Sequence, residues 1–305
     1  MTATPPTISV VIPLYNHSAY IQETLESVFR QTRQPQEVIV VDDGSPDDSY
    51  ALVQKHFGDR KELIAWTRPN GGAHSAINDG IRRASSDVIA ILNSDDIFDS
   101  RRLEACAELF RNNPEADMVC TGINCVNDQG KSIRNTWYDE AKGYYRKVGD
   151  LALALLNGNF LMTTSNYVVH RAAFERYGYF GSFRYAHDLA FLLRLIRRGG
   201  RIVIDDTPLL NYRIHDSNTI SEGAQKVKVE WAAIVAEHML AVEQGAGGPP
   251  DIDRLRTLQE ILDRHNLARM LPPLMALLAR NSELDQADIL LEDASVKDFL
   301  LEICQ

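Results

Sequence analysis

The residues best suited to chemistry follow directly on an apolar run. The run 88–92 ends in Asn93, Ser94, Asp95 and Asp96. Such a run predicts a buried strand, and ligands of open α/β sheets bind beyond the carboxyl ends of the strands. Two adjacent carboxylates there suit Mg²⁺ or Mn²⁺, which carboxylates commonly hold together with substrate phosphates. Because aspartate also favours turns and helix starts, a simple capping turn is the open alternative.

Polar residues stand at the ends of two further apolar runs. The run 37–41 ends in Asp42 and Asp43, and the run 8–15 is followed by Asn16. A carboxylate at such a strand end can accept hydrogen bonds from a nucleobase or a ribose, although each aspartate taken singly can also be a capping residue. Since parallel strands share one carboxyl edge, we expect the three strand ends to converge.

The elements that position these residues alternate over the first hundred positions. Strand patterns at 8–15, 37–42, 63–66 and 88–92 are separated by helical spacing of apolar residues, with short connections. This order predicts a parallel, helix-flanked sheet with right-handed crossovers, hence an α/β fold. The segment contains neither GxGxxG nor GxxxxGK[ST], which argues against dinucleotide binding and P-loop hydrolysis.

The remaining chain mixes helices and strands. We predict a helix over 100–112 and a hairpin or meander of strands over 117–126 and 132–137. A further helix begins near Tyr185, and strands follow over 202–205 and 209–215. Helical spacing resumes from residue 221, with a Gly- and Pro-rich break at 245–250. We therefore expect a catalytic domain over 1–220 and a C-terminal helical region over 221–305.

Composition excludes several classes of protein. The 305 residues are 45% hydrophobic and carry a formal net charge of −10, which argues for a globular chain and against a general nucleic-acid partner. No stretch is apolar enough for a membrane-spanning helix, and no signal peptide is expected, so we predict a cytoplasmic protein. The four cysteines lack CxxC spacing, which favours reduced thiols over a zinc site.

Four motifs in order carry a resemblance to a known family. They are Val-Ile-Pro-Leu-Tyr-Asn at 11–16, Val-Val-Asp-Asp-Gly-Ser at 40–45, Asn-Gly-Gly at 70–72 with Ala-Ile-Asn-Asp-Gly at 76–80, and Leu-Asn-Ser-Asp-Asp at 92–96. Over roughly residues 7–220 the chain resembles glycosyltransferase family 2. The resemblance implies the GT-A fold, a Rossmann-like and mainly parallel sheet flanked by helices, here with a C-terminal helical extension.

The resemblance also implies roles for the matching positions. The metal, Mn²⁺ or Mg²⁺, is expected on Asp95 and Asp96, and on His215 if that residue binds the metal and not the pyrophosphate. The first position of the family's DXD element is Asn93 here. The residues implied to bind the nucleotide-sugar are Pro13, Tyr15, Asn16, Asp42, Asp43, Asn70, Gly71, Asn78, Asn93 and Asp95.

Asp188 resembles the aspartate of the family's Glu-Asp element, which serves as the general base. His187 stands in place of the usual acidic neighbour. From the residues alone, an acid in the first turn of a helix is more often only a complement to the helix dipole, and the resemblance reverses that preference. Four arginines near the end of that helix could meet acceptor phosphates or a membrane surface, but a solvated face is the interpretation we favour: Arg194, Arg197, Arg198 and Arg201.

The resemblance implies a metal-dependent, inverting glycosyltransferase. Its donor is a nucleotide-diphosphate sugar (UDP, GDP or dTDP), and its acceptor is a glycan or a lipid-linked molecule, with bacterial surface polysaccharide assembly as the setting. Peripheral association at the inner face of the membrane, the donor sugar and the oligomeric state are left open. The alternative is a catalytically silent GT-A scaffold that acts through its C-terminal helices. A pyrophosphorylase and a processive synthase are disfavoured, because their Gly-rich loop and their Gln-x-x-Arg-Trp element with membrane helices are missing.

Overall fold

The computed structural model describes residues 5–216, 218, 223–245, 251–280 and 286–304. The chain forms two compact units that do not follow chain order. The first contains Met1–Arg134, Leu161–Phe180 and Gly200–His215, and the second contains Asn135–Phe160, Gly181–Gly199 and Asp216–Gln305. The predicted division into a catalytic domain over 1–220 and a helical region over 221–305 stays a prediction.

A mixed sheet of eight strands forms the centre of the first unit as described, in the order β3-β2-β1-β4-β7-β6-β8-β5. The strands β1 to β4 are parallel, β7 is antiparallel to both β4 and β6, β8 is parallel to β6, and β5 is antiparallel to β8. Their bounds are β1 Ile8–Leu14, β2 Glu37–Asp42, β3 Leu63–Thr67, β4 Val88–Ile91, β5 Ile97–Phe98, β6 Met118–Val126, β7 Val168–His170 and β8 Ile202–Arg213.

The central strands are apolar because both faces of the sheet are covered. Every residue of β1, β2 and β4 is buried. The helices of this unit are α1 Ile21–Phe29, α2 Ser49–Phe57, α3 Ala73–Arg83, α4 Arg102–Asn112 and α7 Arg171–Tyr177. Helix α3 packs closely on β1, since a Cβ on Gly80 would lie 2.4 Å from Cγ1 of Val11. The predicted parallel, helix-flanked sheet is therefore confirmed for the first four strands.

The second unit is helical. Its helices are α5 Thr136–Val148, α6 Leu151–Asn157, α8 His187–Arg197, α9 Ala224–Gly245, α10 Ile252–Arg264, α11 Leu271–Leu278, α12 Ala287–Leu290 and α13 Ala294–Ile303. Helix α9 contacts α8, α11, α12 and α13. It is apolar around much of its circumference, as expected for a central helix, and buries Val229, Ala232, Ala233, Ile234, Val235 and Ala236.

The predicted hairpin over 117–126 and 132–137 is confirmed in part: the first strand (β6) and the turn after it form, since the N–H of Asn127 donates to the carbonyl oxygen of Lys131 (2.9 Å), but residues 132–137 form no second strand. Strand β6 pairs with β7 and β8, both far away in sequence. Ser132 forms an isolated bridge to Val126, and the following residues turn into α5. The side chain of Asn135 accepts a hydrogen bond from the N–H of Tyr138 and so caps that helix. The turn at 127–131 therefore forms as predicted, and the start of α5 ends the second arm of the hairpin after a single bridge.

Two further observations concern the whole described chain. None of its helices combines the length and the apolar character that a membrane span needs. Cys106, Cys120 and Cys125 are buried free thiols, and Cys304 is a partly exposed one.

Candidate active site

The ends of β1, β2 and β4 lie at one edge of the sheet. Leu14 is paired with Asp42 and Val11 with Ile91, so the three strands end at the same edge of the sheet. Hydrogen bonds continue past the strand ends, because the N–H of Asp43 donates to Leu14 (2.8 Å). The N–H of Asn16 donates to the hydroxyl of Ser45 (3.0 Å), which joins the first two turns. The polar residues that follow these strands are therefore brought to one edge.

Asp43 organises the second of these turns. It is buried and accepts hydrogen bonds from the N–H groups of Gly71 (3.0 Å) and Gly72 (2.8 Å), while Nε of Arg68 lies 3.4 Å away. Gly44 has a φ of +74°, and a Cβ there would lie 3.0 Å from the carbonyl oxygen of Arg68, so the close approach of the two turns needs glycine. The motifs at 40–45 and 70–72 thus form one hydrogen-bonded structure.

The other predicted donor contacts differ in their exposure. Tyr15, Asn16 and Asn70 are exposed, and Pro13 is buried within β1. Asp42 is buried and accepts a hydrogen bond from the hydroxyl of Thr67 (2.7 Å). Nucleotide binding by these residues and by Gly71 stays a prediction, and the exposed side chains are the ones that a ligand can reach.

Asn78 and Asn93 are engaged by the protein itself. Asn78 donates to the carbonyl oxygen of Phe180 (2.8 Å) and accepts from the N–H of the same residue (3.1 Å). Asn93 donates to the hydroxyl of Thr163 (2.9 Å) and accepts from that of Thr164 (2.9 Å). Both asparagines therefore anchor neighbouring loops in this structure, and their predicted contact with the donor stays a prediction.

Asp95 faces two imidazoles. Its Oδ2 lies 3.0 Å from Nε2 of His215 and 4.0 Å from Nε2 of His17. Burial alone would raise the pKa of Asp95, but the hydrogen bond from His215 and the nearby charges of both histidines outweigh it and lower that pKa. Asp95 is therefore held as an anion.

Asp96 has different surroundings from Asp95. It is fully buried, and its two oxygens accept hydrogen bonds from the hydroxyl of Ser165 (2.5 Å) and from the N–H of Arg213 (2.9 Å). Burial, followed by the charge of Asp95, raises the pKa of Asp96 well above its usual range. The sequence gives both aspartates the same predicted role as metal ligands, whereas the structure gives them different partners.

His17 is the functional candidate that sequence reasoning missed. Its Nδ1 lies 2.7 Å from the hydroxyl of Ser94, and its Nε2 lies toward Asp95. One ligand atom each from His17, Asp95 and His215 lies within 4.8 Å of the others. The signal was available, because His17 directly follows Asn16 at a strand end already judged polar.

This donor set fits a divalent cation. A buried carboxylate and two imidazoles converge. Because the pKa of Asp95 is lowered, its carboxylate is ionised and carries a negative charge that favours binding of a cation. Carboxylates suit Mg²⁺ and Mn²⁺, whereas imidazole ligands favour transition metals. The three side chains could therefore hold a divalent metal ion.

Two buried arginines support this region, and sequence reasoning assigned a role to neither. Arg213 in β8 donates through Nε to the carbonyl oxygen of Asp95 (2.9 Å) and forms an ion pair with Glu23 (2.6 Å). Arg102 in α4 donates to the backbone carbonyl of Ser165 (3.2 Å) and to Oδ1 of Asn166 (3.2 Å). Arg213 thus ties β8 to the acidic turn formed by Asp95 and Asp96, and Arg102 ties α4 to the loop before β7.

Asp188 belongs to the second unit, where it lies in the first turn of α8. Its Oδ2 accepts a hydrogen bond from Nδ2 of Asn159 (2.7 Å), and its Oδ1 accepts one from the N–H of Leu189 (2.7 Å). Burial raises the pKa of Asp188 to about 7, and the charge of Glu230 adds to that rise, while the hydrogen bonds oppose it. This carboxylate can therefore gain or lose a proton near neutral pH.

The arginines near the end of α8 do not all behave as predicted. Arg197 is only 7% exposed at its side chain and forms an ion pair with Glu237 of α9 (2.8 Å). The interpretation as a solvated face is wrong for this residue, because α9 covers it. Arg201 remains exposed and pairs with Glu115 (3.1 Å).

Comparison with known proteins places the chain in a family. The model of "Glycosyl transferase family 2" matches residues 9–178. An uncharacterized glycosyltransferase of Rickettsia typhi is 25% identical over 230 residues, which are 73% of this chain and 69% of that protein. The chondroitin synthase of Escherichia coli is 33% identical over 130 residues, which are 43% of this chain and 19% of that protein.

Solved structures agree on the fold. The crystal structure of Staphylococcus aureus TarS 1–349 in complex with UDP-GlcNAc superposes with a TM-score of 0.63 at 20% identity, over 85% of this chain and 72% of that chain. The mixed, helix-flanked sheet is thus the GT-A fold that the motifs predicted. The chain belongs to glycosyltransferase family 2, and it is a glycosyltransferase.

Proposed function

We propose that this glycosyltransferase moves a sugar from a nucleotide-diphosphate donor to a hydroxyl acceptor, with the help of a divalent cation. The observation that carries the proposal is the convergence of His17, Asp95 and His215 at the carboxyl edge of the sheet. Of the three nucleotides that the resemblance leaves open, UDP is the first candidate, because the related TarS was solved with UDP and with UDP-GlcNAc.

The cation in this proposal is Mn²⁺, held by His17, Asp95 and His215. When bound, such an ion neutralises the charge that develops on the leaving diphosphate. Asp96 positions the residues next to the ligands, because its oxygens accept hydrogen bonds from the hydroxyl of Ser165 and the N–H of Arg213. Asp96 was predicted as a ligand, and we now propose that it positions the ligands.

The nucleoside in this proposal is bound around the turn that Asp43 organises. Tyr15, Asn16 and Asn70 are exposed residues of the two turns, and Gly71 donates its N–H to Asp43. An exposed tyrosine ring can stack on a base, and the asparagine amides can pair with base or ribose edges. In this proposal Asp43 holds the two turns that carry these exposed residues, through its hydrogen bonds from Gly71 and Gly72.

The chemical step in this proposal uses Asp188 as the general base. The acceptor oxygen attacks the anomeric carbon from the side opposite the diphosphate, the bond to the diphosphate oxygen breaks with its electron pair, and the hydroxyl proton passes to a carboxylate oxygen of Asp188. Attack from that side inverts the anomeric centre. A pKa of about 7 suits this role, because a base works best when its pKa is close to the operating pH.

The acceptor and the setting are proposed more broadly. The chondroitin synthase relative supports a glycan acceptor, and we keep a lipid-linked acceptor as the second candidate. Bacterial surface polysaccharide assembly on the cytoplasmic side, with peripheral contact to the membrane, is the setting that we propose. A silent scaffold would lack metal-dependent release of UDP from a UDP-sugar, so that assay separates the two functions.

The experiment that tests the donor site is a thermal-shift screen. UDP-, GDP- and dTDP-sugars are each added with and without Mn²⁺, because a ligand that binds only the folded state raises the melting temperature. We expect one nucleotide to raise it only with Mn²⁺, and the effect to vanish in Asp95→Ala. His56→Ala, which changes an exposed histidine of α2, is the matched control and should keep the shift. No shift with any donor in folded protein would overturn the proposed site.

A further inference from the structure

The segment that leads into α8 is held by a buried carboxylate of the C-terminal helical region. Glu230 of α9 is 5% exposed and accepts hydrogen bonds from three consecutive N–H groups, those of Arg184 (3.0 Å), Tyr185 (2.8 Å) and Ala186 (3.0 Å). Hydrogen bonds from N–H groups to an ionised acceptor are stronger than those between neutral groups. The backbone just before Asp188 is therefore fixed by one side chain that lies 44 to 46 residues further along the chain than the groups it binds.

Two further carboxylates hold the beginning of the same segment. Oδ2 of Asp288, in α12, accepts the N–H of Ser182 (2.8 Å), and Glu292 accepts the hydroxyl of Ser182 (2.9 Å). Gly181 leaves room for this contact, because a Cβ there would lie 2.4 Å from Oδ2 of Asp288. Segment 181–186 is thus bonded at both of its ends to helices beyond residue 223.

We propose that Glu230 is a positioning residue for the reaction: it clamps the backbone of 184–186 and places its own charge toward Asp188, so that the C-terminal helices hold the general base in place. This inference rests on the proposed role of Asp188. It gives the C-terminal helices, which the sequence left without a function, a part in catalysis.

The charged and polar groups around Asp188 determine how the loss of Glu230 changes the pKa of Asp188. Asn159 and the N–H of Leu189 bond the carboxylate, and both favour its ionised form. Glu230 faces it from α9 and disfavours that form, while Lys297 of α13 acts electrostatically on Glu230. Burial raises the pKa of Glu230, and its three N–H partners oppose that rise. Removing the charge of Glu230 should therefore lower the pKa of Asp188.

The test is a ¹³C NMR titration of the aspartate carboxyl groups in the full chain, with Asp188→Asn used to assign the signal. In the unaltered protein we expect a midpoint near 7, and in Glu230→Gln a midpoint at least half a pH unit lower. Glu237→Gln is the matched control: Glu237 is a buried acid of the same helix, but it bonds Arg197 and the N–H of Ala287. It should leave the midpoint unchanged. An unchanged midpoint in Glu230→Gln would overturn the proposal.

Turnover supplies the second readout, with release of the nucleoside diphosphate from the donor that the thermal screen selects. Glu230→Gln should lower kcat about tenfold at saturating donor and leave the donor KM unchanged, whereas Glu237→Gln should lower only the melting temperature. If Glu230→Gln does not fold, Asp288→Asn loosens the same segment and should lower kcat in the same way. An unchanged kcat in Asp188→Asn would refute the base itself, whereas a loss there with unchanged Glu230→Gln would refute only the clamp.

Discussion

Asp95 and Asp188 are the same residue type in opposite electrostatic surroundings. Asp95 lies between His215 and His17, and its pKa is lowered despite burial. Asp188 is bonded by neutral amide donors, has Glu230 as its charged neighbour, and has a pKa of about 7. The first carboxylate stays an anion and can hold a cation, whereas the second can carry a proton. Environments that push two pKa values apart in this way are how one protein separates two chemical tasks.

The difference comes from what each carboxylate is given as a partner. A nearby positive group favours the ionised form, and a nearby negative group together with burial disfavours it. Asp95, in the acidic turn after β4, has imidazoles from two other strand ends as neighbours, because His17 follows β1 and His215 follows β8. Asp188, at the start of α8, instead has Glu230 of the later helix α9 as its neighbour. The predictions below test whether the two tasks are in fact separate.

The largest effect is expected on removing the proton acceptor. Asp188→Asn keeps the size and the hydrogen-bonding shape but cannot take a proton, so kcat should fall by about 10²–10⁴. The Kd for donor with Mn²⁺ should stay within about twofold, because Asp188 has no part in holding the cation. Steady-state kinetics and calorimetric titration of the donor measure the two quantities. Unchanged turnover would remove Asp188 from the mechanism.

The second effect is on metal affinity. Replacing either His17 or His215 by alanine should raise the Kd for Mn²⁺ by about 10- to 100-fold, the scale on which changes around a metal site act. The signal of free Mn²⁺ in electron paramagnetic resonance measures this Kd. His56→Ala should bind Mn²⁺ as the unaltered protein does. Unchanged affinity in His17→Ala would reduce the site to Asp95 and His215.

The third effect is on the pH dependence of turnover. In the proposed mechanism the ionised form of Asp188 accepts the proton, so kcat/KM should rise with pH and level off above about 7. Below that pH it should fall about tenfold per unit. A rate profile from pH 5 to 9 at saturating Mn²⁺ measures this. An acidic limb that lies near pH 4 would contradict the raised pKa.

The smallest effect is on stability. Burial raises the pKa of Asp188 in the folded protein, so the folded state binds more protons than the unfolded state between about pH 4 and 7, and stability is lost as pH rises through that window. Asparagine has no such loss. Asp188→Asn should therefore melt on the order of 2–4 °C higher than the unaltered protein at pH 8 and about equally at pH 4. Equal melting temperatures of Asp188→Asn and the unaltered protein at both pH 4 and pH 8 would argue against the raised pKa of Asp188.

The sequence predicted what local patterns determine. The prediction that Asp43 and Asp95 lie at one edge of the sheet was possible because a buried strand and the turn after it are determined by residues adjacent in sequence. Arg213 and Glu230 were missed, since their partners come from distant parts of the chain. The strand over 132–137 was predicted wrongly for the same reason: β6 takes its neighbours from residues 168–170 and 202–213. Residue type alone also could not separate Asp95 from Asp96.

The measurement that tests the central claim most directly is Mn²⁺ binding, in the presence of UDP, to Asp95→Asn and Asp188→Asn side by side. The separation of tasks predicts that Asp95→Asn weakens Mn²⁺ binding by at least about tenfold and that Asp188→Asn leaves it unchanged, since only the first removes a charged ligand. Equal loss in both variants, or no loss in Asp95→Asn, would contradict the division of labour between the two carboxylates.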